Sequence, residues 1–492
     1  MRMPLLFALL LTSTTPLLAQ PASQSAPSAV DIATARAFLD ILDPGKQSEL
    51  DAFIADRISP RAAEFEPPEQ LAARIRALAG QSGGIAVSEW NEVGDQVRFA
   101  GTSRRGAIPV RGIIGLTDGK LVGFQIGPDR RARGADAPEW PASAASADAA
   151  LAAIERELEW RARSSRFSGA VVISRRGEPV LERAYGLARR SPDVPATTDT
   201  PFHTASTTKM FTAAAIAQLI DAGRIRLDMT VAEAVPALAA SPGAGQVRIR
   251  DLLGHRVSYG DYILSPEYRA MERDDTSATE LLALIADREP RPAREGRISY
   301  SNANYLVLAA AIEAASGQSY YDYVETHLLR PLGMTNTLFG APAARPSNAA
   351  VGWIKDDVTD PLGISDWRAN DGVVPYRGGP PGGTWASARD MSRFIQAFAA
   401  GRIASPATIE AMLGDLRTSG RTFRYGLGFM VNEANGRTFF GHDGGGGNAG
   451  VSTSVFTSRD GAWSVAVLSN FSSPAGDDLG KTLMDLLLTV PE

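Results

Sequence analysis

No cysteine occurs among the 492 residues. Disulfides, thiolate catalysis, cysteine-bound zinc and a lipid on an N-terminal cysteine are thereby excluded. Histidine numbers four: His203, His255, His327 and His442. Apart from His442 they stand outside any metal-ligand spacing and read as structural, so no metal site is expected, and no other cofactor. A net charge of -5 without a basic stripe argues against a nucleic-acid partner. No stretch reaches the ~18 uninterrupted apolar residues of a membrane span, so no integral membrane segment is expected. Lysine is rare as well. Of 50 basic residues only five are lysines, at positions 46, 120, 209, 355 and 481.

That scarcity makes one lysine conspicuous. Lys209 follows Ser206 by three residues and leads into an apolar, alanine-rich run, Phe211 to Ile220, which reads as a buried helix stopped by Gly223. The other four lysines have Asp43, Thr117, Gly352 and Asp478 in the place of that serine. A helix beginning at Ser206 would set the hydroxyl over the positive end of the helix dipole, with Lys209 one turn on and on the same face. Serine is a weak nucleophile until a neighbouring base takes its proton. Lysine can serve as that base when burial lowers its pKa from about 10.4, whereas arginine cannot lose its proton. The alternative is an N-capping serine with a surface lysine, but a chain that uses arginine almost everywhere keeps this lysine inside an apolar helix. Ser206 and Lys209 are therefore the candidate nucleophile and base.

The length exceeds what one hydrophobic core usually serves. Residues 1–19 read as a secretory signal, with Arg2, an apolar run from Leu5 to Leu11, and small Ala19 at the cleavage point. An exported, periplasmic or secreted bacterial protein is expected. Residues 20–30 are a Pro/Ala/Ser-rich lead-in. Three helical patterns (31–43, 47–58, 68–79) and four strand-like runs (84–93, 96–102, 107–116, 120–126) then form a small α+β domain over 31–128, with Asp118-Gly119 as a hairpin turn. Residues 129–146 are a linker. From Ala147 come a long helix to Arg163, a hairpin of strands 169–174 and 179–185, the nucleophile helix, a largely helical middle, and late strands at 429–433, 437–441, 451–457 and 462–469. The fold class expected is α+β, an antiparallel sheet flanked by helices with a mostly helical inserted region.

Two further stretches carry chemistry. Tyr300-Ser301-Asn302 precedes an apolar helix. The tyrosine oxygen can relay a proton once cations lower its pKa, and the asparagine amide can hold a substrate carbonyl or orient the lysine. As alternatives, Tyr300 is an amphipathic rim residue and Asn302 a helix cap. His442-Asp443-Gly444-Gly445-Gly446-Gly447-Asn448 opens from a strand end into a glycine-rich run that permits close backbone approach to a ligand. Asp443 and Asn448 line that run. It does not continue as a phosphate loop, since no helix or lysine follows in that register.

Ser206-x-x-Lys209, Tyr300-Ser301-Asn302 and His442-Asp443-Gly444, in this order, resemble the serine β-lactamase and penicillin-binding-protein superfamily. The likeness is to the class C β-lactamase-related branch, with its D-alanyl-D-alanine carboxypeptidases, D-aminopeptidases and family VIII esterases. Gly223–Asp228, Leu329–Met334, Gly382–Ser387 and Tyr425–Phe429 agree with the family's flanking text. The resemblance spans 147–492 and implies a β-lactamase/transpeptidase-like hydrolase domain there. It implies acylation of Ser206, with Lys209 and Tyr300 sharing base and acid work. Asn302, His442 and Gly444 would bind substrate, and the backbone N–H groups of Ser206 and Gly445 would form the oxyanion hole. The substrate implied is a small molecule or peptide: an ester, an amide or a D-amino-acid peptide. A slowly turning-over penicillin-binding or sensor protein, or a β-lactamase, are the alternatives. Two departures stand out. His442 occupies a place where many relatives of this branch carry lysine, a fixed cation for a substrate carboxylate. Leu252–Tyr262 matches the family's usual Leu-Leu-Thr-His-Thr-Ser-Gly only at Leu252, Leu253 and His255, and reads as an altered loop beside the site.

Overall fold

The computed structural model describes residues 29–491 apart from 65–66, 94–95, 130–132, 134–135, 264–266, 269–277, 340–344, 355–366, 371–376, 419–422 and 447–448. The signal read in 1–19, Lys355 and Asn448 lie outside the described residues. Two compact units divide the chain: residues 29–136 belong to one, residues 137–353 and 369–491 to the other.

In the first unit, helices α1 (Ala29–Asp40), α2 (Gln47–Arg57) and α3 (Pro68–Ser82) precede strands β1 (Ile85–Val93), β2 (Gln96–Ser103), β3 (Pro109–Thr117) and β4 (Lys120–Pro128). The strands pair as an antiparallel meander in chain order. Helix α3 buries Leu71, Ala72, Ile75, Leu78 and Ala79, the stripe its periodicity demands, and ends on Gly83 with φ of 59°. Asp118 and Gly119 both take positive φ, as a two-residue hairpin turn of this hand requires. Phe38 lies fully buried between Phe53 and Phe124, with ring centroids 6.0 and 5.0 Å away. Phe38→Ala is expected to destabilise this unit by about 3–5 kcal/mol, read by denaturant unfolding of the whole chain.

The second unit opens with α4 (Ala147–Arg163), whose Ser146 caps it by accepting from the Ala149 N–H. Strands β5 (Gly169–Arg175) and β6 (Glu178–Tyr185) follow, then helices α5 (Lys209–Asp221), α6 (Ala303–Ser316) and α7 (Ala388–Ala399). The late strands are β7 (Arg417–Thr418), β8 (Arg424–Tyr425), β9 (Met430–Ala434), β10 (Arg437–Gly445), β11 (Ser452–Ser458) and β12 (Trp463–Ser469), and α8 (Asp477–Leu487) closes the chain. The sheet is antiparallel, in the order β7-β8-β9-β10-β11-β12-β5-β6. Alternation along its strands divides the side chains between two cores. Ala170, Val172, Val455, Ala466 and Leu468 join the core of α5, α6 and α7, while Val171, Ile173, Phe456, Val465 and Val467 join that of α4 and α8. The antiparallel sheet between helices, with a mostly helical insertion, is the expected fold class.

Several boundaries differ from the sequence reading. The regular nucleophile helix begins at Lys209, and Ala205–Thr208 is a 3-10 turn. Strand β10 runs four residues past Gly441, so Gly444 and Gly445 belong to a strand rather than a loop. Cross-strand pairing with Ser452 and Thr453 holds them there, a tertiary effect that glycine's weak local preference does not reveal. Within the largely helical middle, one stretch forms only a short helix, Ala278–Leu281, and a 3-10 turn, Leu282–Leu284. Helix α8 was not legible as an element, although it covers one face of the sheet.

Candidate active site

The site grows from the turn Thr204–Thr208. Thr204 is a hub: its N–H and Oγ1 both donate to Thr384 O, at 2.8 and 2.7 Å. Its carbonyl accepts from Thr207 Oγ1 at 2.6 Å and Thr453 Oγ1 at 3.0 Å. Ala205 takes φ of 46°, a left-handed conformation that costs a residue with a Cβ about 1 kcal/mol or more, and Gly383 N–H clasps its carbonyl at 3.0 Å. His203 Nδ1 accepts the Ala205 N–H at 3.3 Å. Burial holds the His203 pKa down at about 4, so the acceptor form persists at neutral pH. The Gly382–Ser387 stretch thus meets the nucleophile turn directly, with Trp385 and Ala386 paired to His203 and Phe202.

Lys209 is fully buried because α5 is apolar on every side. Its Nζ lies 3.2 Å from Ser206 Oγ, 2.8 Å from Asn302 Oδ1 and 2.5 Å from Pro381 O. The rings of Tyr300 and Tyr305 stand 4.8 and 5.3 Å away. Desolvation pushes its pKa down to about 7, against a smaller upward pull from Asp261. The geometry accommodates the neutral amine well. Two N–H groups serve Asn302 and Pro381, leaving the lone pair for the Ser206 hydroxyl proton.

Tyr300 is hydrogen-bonded to Ser206, but burial raises its pKa above the usual tyrosine value. The expectation that cations would lower it is corrected: the nearest cation, Lys209, is itself half neutral near pH 7, and desolvation prevails. Tyr300 is thus a neutral phenol. His255 holds the motif in place. Its ring lies 4.3 Å from the Tyr300 ring, its Nδ1 accepts the Ser301 N–H at 3.2 Å, and its carbonyl accepts the Ser299 N–H at 2.7 Å. Asn302 stands at the start of α6 without capping it through its side chain. Its amide instead bridges Lys209 and Asp261, with Nδ2 donating to Asp261 Oδ2 at 2.9 Å.

The far wall is β10. Strand β9 ends its pairing at Gly441, so among the described residues the strand pairs from His442 to Gly445 with β11 alone, and its other edge faces the nucleophile turn. A Cβ on Gly444 would lie 2.9 Å from the Ser206 nitrogen. Gly445 is exposed at the strand's end. His442, read as a substrate contact, has no exposed surface. Its Nε2 bonds Tyr425 Oη at 2.8 Å, and burial pushes its pKa down to about 3. It is no substitute for a fixed cation. Asp443 alternates to the opposite side of the strand. There it pairs with Lys481 of α8 and accepts from Ser454 Oγ at 2.8 Å, and burial raises its pKa to about 6.

The structure therefore gathers Ser206, Lys209, Tyr300, Asn302 and Gly444 around one point. Sequence reasoning missed Asp261 and Pro381; it read His203 and His255 as structural, and the structure adds which backbone N–H each one holds. Asp261 lay within the altered Leu252–Tyr262 stretch, which was the available signal. A backbone carbonyl such as that of Pro381 leaves no trace in side-chain patterns.

Residues 151–489 match the beta-lactamase family model, and the chain belongs to that family. It is 29% identical over 311 residues to penicillin-binding protein 4 of Amycolatopsis lactamdurans, covering 56% of this chain and 79% of the relative. It is also 29% identical over 280 residues to penicillin-binding protein 4* of Bacillus subtilis (strain 168), covering 54% of this chain but only 60% of that relative's length. The crystal structure of a penicillin-binding protein from Bacillus halodurans superposes with a TM-score of 0.56 at 24% identity, over 66% of this chain and 97% of the other, which shows the fold. The family expected from the three motifs is the family found.

Proposed function

We propose that the protein is a serine hydrolase that cleaves a small ester, amide or D-amino-acid peptide bond through an acyl-enzyme on Ser206. The carrying observation is Lys209 Nζ at 3.2 Å from Ser206 Oγ, with its pKa pushed down to about 7. Neutral Lys209 takes the Ser206 proton as Oγ attacks the substrate carbonyl. The N–H groups of Ser206 and Gly445 receive the developing oxyanion, each worth about 3–4 kcal/mol. Collapse breaks the bond to the leaving group, which takes a proton from the Tyr300 phenol, and Lys209 reprotonates the phenolate. Water then repeats the sequence on the acyl-enzyme, regenerating Ser206. The unpaired edge of β10 offers backbone groups to an extended substrate. Among the described residues no helix is long and apolar enough to cross a membrane. Export to the periplasm or medium is part of the same proposal and is supported by the bacterial penicillin-binding relatives.

Because the active base is the deprotonated amine, kcat/KM for a neutral ester is expected to fall about tenfold per pH unit below about pH 7 and to level off above it. Tyr300, titrating above the ordinary tyrosine range, adds no alkaline decline below about pH 10. A flat profile from pH 5 to 9 would remove Lys209 from the role of base. Intact mass and peptide mapping after exposure to an activated short-chain ester and to a β-lactam test the nucleophile. An adduct on the Ser206 peptide, absent in Ser206→Ala, is the expected result. Ester turnover that survives in Ser206→Ala would end the proposal. An adduct that forms and does not clear would mark the slow-turnover alternative.

A further inference from the structure

The altered Leu252–Tyr262 stretch is the part of the cleft wall that the reaction above leaves unused. Its last residues are fastened to the Tyr300 motif one by one. Ser301 Oγ donates to Gly260 O at 2.8 Å, and Asn304 Oδ1 accepts the Tyr259 N–H at 3.3 Å. Tyr259 and Tyr262 are both buried. Between these anchors Asp261 is exposed. Its Oδ2 accepts from Asn302 Nδ2 at 2.9 Å and its Oδ1 from the Ile263 N–H at 3.0 Å. A carboxylate offers about four acceptor positions, so two remain open.

Asp261 forms no ion pair among the described residues. Arg288, the cation beside it, donates to the main-chain carbonyls of Tyr259 and Asp261 at 3.3 and 3.2 Å. Arg377 lies over the Tyr321 ring, 4.0 Å from its centroid. Across the cleft, His442 of β10 is buried, and burial keeps it from serving as a cation. A substrate entering beside Asn302 thus meets an exposed negative charge one amide away from the base, without the fixed cation that would welcome a carboxylate.

We propose that Asp261 is a specificity-determining residue that takes an ammonium group next to the scissile carbonyl, so that the preferred substrates are esters, amides or peptides of acyl groups with a free α-amino group. This rests on the acyl-enzyme reading above. A charged hydrogen bond of this kind discriminates by about tenfold or more. An anion in the same place is repelled by Asp261.

The test is kcat/KM of the full-length protein at pH 7, where an α-amino group is mostly charged. The probes are alanine p-nitroanilide, its N-acetyl form and its N-succinyl form, each as both enantiomers, with p-nitrophenyl butyrate as a neutral reference. The wild type is expected to prefer the free amine over the N-acetyl form by about tenfold or more and to use the N-succinyl form least. Asp261→Asn is expected to reduce the amine-to-acetyl ratio at least about fivefold, and Asp261→Glu to retain most of it. Because the ratio is taken within each variant, a general loss of folding or turnover cancels. A wild-type ratio near or below one, or a ratio unchanged in Asp261→Asn, overturns the proposal. Hydrolysis of the neutral ester without an ammonium preference would overturn the role of Asp261 alone. Failure of every probe to acylate Ser206 would remove the acyl-enzyme reading, and the role of Asp261 with it.

Discussion

Lys209→Arg is expected to lower kcat/KM by on the order of 10³-fold or more, measured with a neutral activated ester at pH 8. The substitution keeps a long cationic side chain, so a role confined to charge would survive it. The proposed role requires the charge to be lost. Guanidinium stays protonated in proteins, and it cannot present a lone pair to the Ser206 hydroxyl. Lys209 also sits where charge is least welcome, on a helix buried on all sides, with three partner oxygens spaced for one small head group. Arginine there would have to displace Asn302 or the Pro381 carbonyl, and unfolding temperatures should be recorded alongside. Ser206→Ala supplies the control that disturbs the packing least: it should be equally inactive and fold normally. Activity within tenfold of wild type in a folded Lys209→Arg protein would contradict the mechanism.

Gly444→Ala is expected to reduce kcat by about 10²-fold or more with a smaller change in KM. A single methyl group decides this. The added Cβ would lie 2.5 Å from Thr204 O, 2.6 Å from Thr453 Oγ1 and 2.9 Å from the Ser206 nitrogen. The Thr204 carbonyl cannot yield, because Thr207 and Thr453 both hold it, while the Thr204 N–H and hydroxyl are held by Thr384. The strand must back away from the nucleophile turn instead, carrying the Gly445 N–H with it. Displacing this proposed oxyanion donor by about an ångström would forfeit most of its contribution, since such a donor acts on the transition state rather than the ground state. Gly414, where an added Cβ meets nothing within 4 Å, is the comparison. Gly414→Ala should be nearly silent in the same assay. Equal kcat in wild type and Gly444→Ala would show that β10 does not border the reacting atoms.

Most of the secondary structure was legible because its causes are local. The first unit's α2, α3 and four strands followed from periodicity and from Asp118-Gly119, with ends shifted by a few residues. The pair Ser206 and Lys209 was legible for a compositional reason: arginine is this chain's default cation, so a lysine inside an apolar helix stands out. Asn302 and Tyr300 could be selected but not oriented. Whether an asparagine at a helix start caps the helix or bridges two charged groups depends on what lies opposite, and here Lys209 and Asp261 come from remote segments. His442 shows the reverse case, an assignment implied by the family resemblance that burial changes. Alternation along β10 turns Asp443 toward Lys481 and away from the cleft, while Tyr425 closes over the histidine.

The sequence by itself determined the class of chemistry, since a serine nucleophile with a lysine base requires only that the two share one helical turn and that the helix be buried. It also determined the antiparallel sheet, through strands read from alternation and turn residues. Only the tertiary structure decided the protonation of the site and which charge stands beside it. Desolvation of Lys209, the neutral phenol of Tyr300 and the exposed carboxylate of Asp261 beside them arise from segments up to about 90 residues apart in the chain. Their charges interact through a low-dielectric interior that no local pattern encodes.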